Sequence, residues 1–95
     1  MNEEKIIEIS EVASSPKRIM ILKILHKPAG LVKIQEEVKR CGMKCSSSET
    51  YKHVQMLLSH KMVMKEQILF GKYVVTDKGR NFIKALNSIG GVDES

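Results

Sequence analysis

Ninety-five residues make one small domain, which excludes a two-domain nucleotide enzyme, a large barrel or a repeat array. At 42% hydrophobic and 28% charged residues the composition excludes wholesale disorder, and the longest unbroken apolar run, residues 19–22, is too short for a membrane span or a secretory signal. Sixteen Lys and Arg against eleven Asp and Glu leave +5, but residues 14–92 alone hold fifteen basic and five acidic side chains, a net of +10 between acidic ends. A basic middle of this kind suits a polyanionic partner. The expectation is a soluble, cytoplasmic chain with no membrane partner and no cofactor. Its two cysteines, too few for a disulfide framework, are expected to be reduced.

The spacing of Ile6, Ile9, Val12 and Ala13 predicts a helix over 2–13. Ser15 and Pro16 are suited to cap and begin a second helix, about 16–27, because Pro at the first helical position loses an N–H that has no partner there. Ile19, Ile21, Leu22, Ile24 and Leu25 make this the central core helix. After a turn at 28–30, Ile34 and Val38 define an inward face on a third helix over 32–41, closed by Gly42.

Ser46 and Glu49 match the capping box, in which each side chain bonds the other residue's free backbone N–H. They open a fourth helix over 47–60. Thr50, Val54 and Leu57 share its inward face, Ser48, Lys52, Gln55 and Ser59 lie opposite, and Tyr51 sits at the boundary. Two β-prone runs, 62–68 and 72–76, flank a Gly71-containing loop and predict a hairpin. Thr76 caps a last helix over 77–88 with Phe82, Ile83, Leu86 and Ile89 apolar, ahead of a flexible acidic tail at 90–95. The fold class is therefore mainly α with a small β-hairpin: helix-turn-helix followed by a two-stranded wing, with about five helices in all.

Three segments give this order a family resemblance. Segment 15–25, Ser-Pro-Lys-Arg-Ile-Met-Ile-Leu-Lys-Ile-Leu, is similar to the first core helix of winged helix-turn-helix transcription regulators of bacteria and archaea, nearest to the ArsR-like group. His53-Val54-Gln55-Met56-Leu57, leading to Met62-Val63, resembles the end of that group's recognition helix. Lys72-Tyr73-Val74-Val75-Thr76-Asp77-Lys78-Gly79 resembles its second wing strand passing into the last helix. The resemblance implies that Ser48, Tyr51, Lys52 and Gln55 enter a major groove, with Ser46 and Ser47 at the start of that helix. It also implies that the wing around Lys72 reaches phosphates or a minor groove, and that Lys44 is a second phosphate contact.

The resemblance further implies dimerisation through terminal helices, here by Ile6, Ile9 and Val12 of an N-terminal helix in 1–14 and by Phe82, Leu86 and Ile89 at the end of a domain over 15–89. Two departures stand out. The usual Ala-Gly after the recognition helix is His60-Lys61, and the wing tip, Ile68, Leu69 and Phe70, is apolar. Such a tip either folds back on the core or meets a protein partner.

These features predict a homodimeric regulator that binds specific double-stranded DNA sequences. The competing reading is a winged-helix module for protein–protein contacts within transcription machinery, favoured by the apolar tip and the acidic first helix. An RNA-binding winged helix is a third, disfavoured by 4% aromatic content. Cys41, Cys45, His53 and His60 are poorly spaced for one zinc ion, and ordinary thiols and imidazoles are the preferred reading. Cys41 and Cys45, four residues apart beside the recognition helix, are candidates for a thiol switch, with two inert thiols as the preferred reading. Neither a Gly-rich phosphate loop nor a hydrolase motif is present, so no enzymatic activity is expected.

Overall fold

A computed structural model of the chain describes residues 3–89, and the tail expected at 90–95 lies outside them. Helix α1 (Glu3–Glu8) continues into a single π turn (Ile9–Ala13). It is followed by α2 (Pro16–Ile24), α3 (Leu31–Arg40), α4 (Ser47–Ser59), β1 (Val63–Lys65), β2 (Tyr73–Val75) and α5 (Asp77–Ile89). The five helices and two strands come in the order expected. Among the described residues no helix is long and apolar enough to cross a membrane.

The core gathers Ile21, Leu22 and Leu25 from α2 and its end, Ile34 and Val38 from α3, Val54 and Leu57 from α4, and Met62, Val63 and Val75 from the hairpin. Each fully buried Leu or Ile contributes roughly 1.5–3 kcal/mol, so this apolar set outweighs any single polar contact in holding the helices together. Helix α2 starts as its sequence dictates: the Ser15 side chain accepts from the Arg18 amide, and Pro16 occupies the first turn. The helix ends at Ile24, earlier than the expected residue 27. Pro28 disfavours helical geometry in the residue before it, and the chain leaves the helix in time to lay Ala29 beside Tyr73.

Val12 requires a correction. It is fully buried in this chain's own core, so it leaves the set of proposed dimer residues. The helical count grouped it with Ile6 and Ile9, but the π turn bonds i to i+5, breaks the α-helical phase, and points Val12 inward while Ile6 and Ile9 stay exposed. Val12 also joins the segment before residue 15 to the core of the rest.

Both ends of the helix-turn-helix carry the same closing motif. After α3, Gly42 takes φ +91; its amide bonds Lys39 O at 2.9 Å, and the Met43 amide bonds Val38 O at 3.3 Å. After α4 the pattern repeats with Lys61 at φ +60, Lys61 N to Leu58 O at 2.9 Å and Met62 N to Leu57 O at 3.0 Å. Lys61 is the only non-glycine residue with positive φ among those described. The left-handed turn therefore persists without the usual Gly, and the burial of Met62 beyond it supplies the apolar contact that accompanies such motifs.

The wing is shorter than its β-prone runs. Register pairs Val63 with Val75, Met64 with Val74 and Lys65 with Tyr73. Beyond that the Glu66 amide still reaches Lys72 O at 2.8 Å before the strands give way to a loop. On its other side β2 is pinned to the end of α2, through reciprocal Ala29–Tyr73 bonds of 3.0 and 2.9 Å and through Val75 N to Leu25 O at 2.9 Å.

Thr76 joins hairpin, α4 and α5. Its hydroxyl donates to Lys61 O at 2.7 Å and accepts from the Gly79 amide at 3.1 Å, while its own amide donates to Met62 O at 2.9 Å. Gly79 is buried against this turn. A Cβ there would overlap the Met62 carbonyl oxygen and lie 2.6 Å from Val75 Cγ2. Gly→Ala inside a helix ordinarily stabilises by about 1 kcal/mol, but here the added methyl meets backbone that cannot yield. Gly79→Ala is expected to destabilise the fold by about 2 kcal/mol or more in urea unfolding. A neutral or stabilising result would contradict the close contact.

Candidate nucleic-acid interface

The α3–turn–α4 unit is assembled from polar contacts that run in sequence along its turn. Gln35 on α3 donates to Cys45 O at 3.0 Å and accepts from the Ser47 hydroxyl at 3.2 Å. Ser46 and Glu49 complete the capping box: the Glu49 amide donates to Ser46 Oγ, and the Ser46 amide donates to Glu49 Oε1, both at 3.1 Å. Thr50, buried, donates to Ser46 O at 2.9 Å, which leaves the buried Cys45 thiol to donate to Thr50 Oγ1 at 3.1 Å. The start of α4 is thereby fixed to α3.

The back of α4 is tied to the N-terminal half. Lys17 Nζ pairs with Glu49 Oε2 at 3.0 Å, and this bond, with the Ser46 amide, lowers the Glu49 pKa below its ordinary value. Arg18 donates from Nε to His53 Nδ1 at 3.0 Å and also bonds Glu11 O, while His60 Nε2 lies 2.7 Å from Glu11 Oε1. His53 thus joins α4 to α2, and His60, seven residues on, joins the end of α4 to the segment that precedes α2. Among the described residues no cluster of three or more His, Cys, Asp or Glu side chains is placed to hold a metal ion.

What remains outward on α4 is the face picked out by its spacing. Ser48, Tyr51, Lys52 and Ser59 are exposed, with Gln55 and Met56 half-buried. Tyr51, Lys52, Gln55, Met56 and Ser59 line a shallow groove with Arg18 at its edge. Lys44 in the turn and Lys72 in the wing are exposed, as is Lys65. Within the DNA-contact set, Ser46 and Ser47 prove to be engaged: the first hydroxyl caps the helix and the second holds Gln35. The hydroxyls of Ser46 and Ser48 lie 3.3 Å apart.

The thiols differ in setting. Cys41 is exposed, with its Sγ 3.7 Å from Met20 Sδ, whereas Cys45 is buried. Bridging them requires Cys45 to leave Thr50 and the core. At the wing, Ile68, Leu69 and Phe70 are 87, 45 and 101% exposed, so the tip does not fold back on the core. On the terminal helices Ile6, Ile7 and Ile9 are exposed, and Phe82, Ile83 and Leu86 are half-buried, the first two packing against the core. The Ile89 side chain lies outside the described residues.

Gln35, Arg18 and Lys65 escaped the sequence reading. Gln35 had a legible signal, since it follows Ile34 on the inward arc of α3, where a polar side chain must find partners.

No family model matches this chain, and no curated protein does. Among solved structures, NolR from Sinorhizobium fredii is similar over 98% of this chain and 97% of its own, at 22% identity and a TM-score of 0.64. RosR of H. salinarum is similar over 83% of this chain and 79% of its own, at 17% identity and a TM-score of 0.66. The likeness to these two structures shows that this chain has the winged-helix fold.

The Arg18–His53 bond has a pH consequence. Burial, then the Arg18 and Lys17 cations, hold the His53 pKa below its ordinary 6.5, against a smaller opposing pull from Glu49. The unfolded chain takes up this proton more readily than the native one. His53 therefore contributes stability that is complete above pH 6.5 and is lost as pH falls toward its native pKa. His53→Gln is expected to flatten the decline in unfolding free energy between about pH 7 and pH 5. An unchanged slope would contradict the assignment.

Proposed function

We propose that this chain is a sequence-specific, double-stranded DNA-binding transcription regulator, akin to the ArsR-like group, that acts as a homodimer with α4 in the major groove. The observation that carries the reading is the outward face of α4. Tyr51, Lys52 and Gln55 are presented on a helix immobilised at its start and back, and neither Lys52, Lys44 nor Lys72 forms an ion pair with a described residue. Lys52 suits a guanine edge or a phosphate, Gln55 an adenine edge, and Ser48 and Tyr51 phosphate or base contacts. The net +10 over residues 14–92 supplies the sequence-independent attraction. NolR and RosR, as regulators of the same fold, support this use of it.

Dimerisation is assigned to the exposed Ile6 and Ile9 together with Phe82, Leu86 and Ile89. A pair of α4 helices related by a two-fold axis would enter major grooves about one helical turn apart. The protein-interaction reading draws on the exposed wing tip. It requires no affinity for DNA, whereas the regulator reading requires affinity that falls steeply with salt.

A salt-titrated binding assay on duplex DNA separates the two readings. The wild type is expected to bind at low salt and weaken steeply as salt rises. Replacing both Lys52 and Gln55 by Ala is expected to cost about tenfold or more in affinity, and Lys52→Ala to reduce the salt slope by about 1 if it contacts phosphate. Unchanged affinity in the double variant would overturn the assignment of α4.

A further inference from the structure

Among the described residues the wing tip holds the two most exposed large hydrophobic side chains, Phe70 and Ile68, and it is built rather than frayed. The Ile68 amide donates to Glu66 Oε1 at 3.1 Å, the Lys72 amide donates to Leu69 O at 3.2 Å, and Gly71 takes φ +78 to close the loop. The only acidic side chain of the wing, Glu66, is turned into the loop by that bond. The side chains left projecting are Ile68 and Phe70, flanked by the exposed Lys65 and Lys72. The base of the wing is pinned to the segment that follows α2, through Leu25 and Ala29, so the tip is presented as a fixed prong.

Resting on the DNA-binding reading above, we propose that this prong is a minor-groove wedge. Phe70, with Ile68 beside it, enters between base pairs and partly unstacks one step while Lys65 and Lys72 hold the phosphates on either side. Two features favour DNA over a protein as occupant. The cations flank the apolar tip on both sides and the one carboxylate is engaged by the Ile68 amide, which suits a groove walled by phosphates. The tip is also only three residues, far below the roughly 800 Å² per partner of a stable protein interface, whereas a wedge acts through one or two apolar side chains. Unstacking is easiest at flexible pyrimidine–purine steps, so the wedge adds a preference for TA or CA steps beside the site read by α4. The duplex would be kinked away from the wing.

The probe is an alternating A·T duplex with 2-aminopurine in place of single adenines, which offers a TA step at every second position. At low salt the wild type is expected to raise 2-aminopurine fluorescence severalfold on binding. Phe70→Ser is expected to abolish that rise, to bind about tenfold more weakly and to keep the wild-type salt slope, because the phosphate contacts remain. Phe70→Leu, still an apolar wedge, is expected to retain much of the signal. Since Phe70 is fully exposed, folding of these variants is not at risk, and a melting curve checks it.

Wild-type binding with no fluorescence change, and undiminished affinity in Phe70→Ser, would overturn the wedge and leave the α4 assignment standing. No binding of any duplex would overturn both. A change in sedimentation between wild type and Phe70→Ser without DNA would instead make the tip a contact between copies of this chain and would likewise overturn the wedge.

Discussion

The backbone of Gly79 lies so close to the carbonyl of Met62 that no side chain fits between them, and the placement of the wing follows from that contact. Met62 ends the left-handed turn after α4, Thr76 ties the same turn to the end of β2, and Gly79 lets the first turn of α5 close over both. Helix α4, the hairpin and α5 are thereby referenced to one another over very few residues. A 95-residue chain has a small core, so local backbone knots of this kind carry more of its definition than they would in a larger domain. Thr76 and Gly79, both in the segment that carries the resemblance, thus have a physical role: the Thr hydroxyl bridges two backbone groups, and the Gly permits the approach.

Helix α4 is held by contributions of unequal size. Burial of Val54 and Leu57 fixes which face looks inward. The capping box, the Gln35 bridge, the Lys17–Glu49 pair and the Arg18–His53 bond then fix its start and its rotation. Their value lies in direction rather than in summed stability. Groups that would otherwise be orphaned at a helix end are satisfied within the protein, so the outward side chains remain available for a ligand. A preorganised face pays less ordering entropy when it binds.

Much of this was legible in the residues. The capping box at Ser46 and Glu49, the Ser15–Pro16 start and the inward triad Thr50, Val54 and Leu57 follow from local rules that tertiary structure reinforces. Other features depend on long-range partners that local rules do not see. Val12 is inward because of a π turn, α2 stops early because Ala29 pairs with Tyr73, and Lys61 is left-handed because Thr76 and Met62 hold its neighbourhood. In the site, the periodicity separated the outward face of α4 correctly, but it could not tell a free serine from one already bonded. Ser47 is committed to Gln35, twelve residues away in sequence.

Whether α4 reads DNA from a symmetric pair of protomers is decided by selection of binding sites from a random duplex pool. The account predicts enrichment of an inverted repeat whose half-site centres lie about 34 Å apart, one turn of the duplex. Recovery of no enriched sequence, under low-salt conditions where the protein is folded, would contradict it.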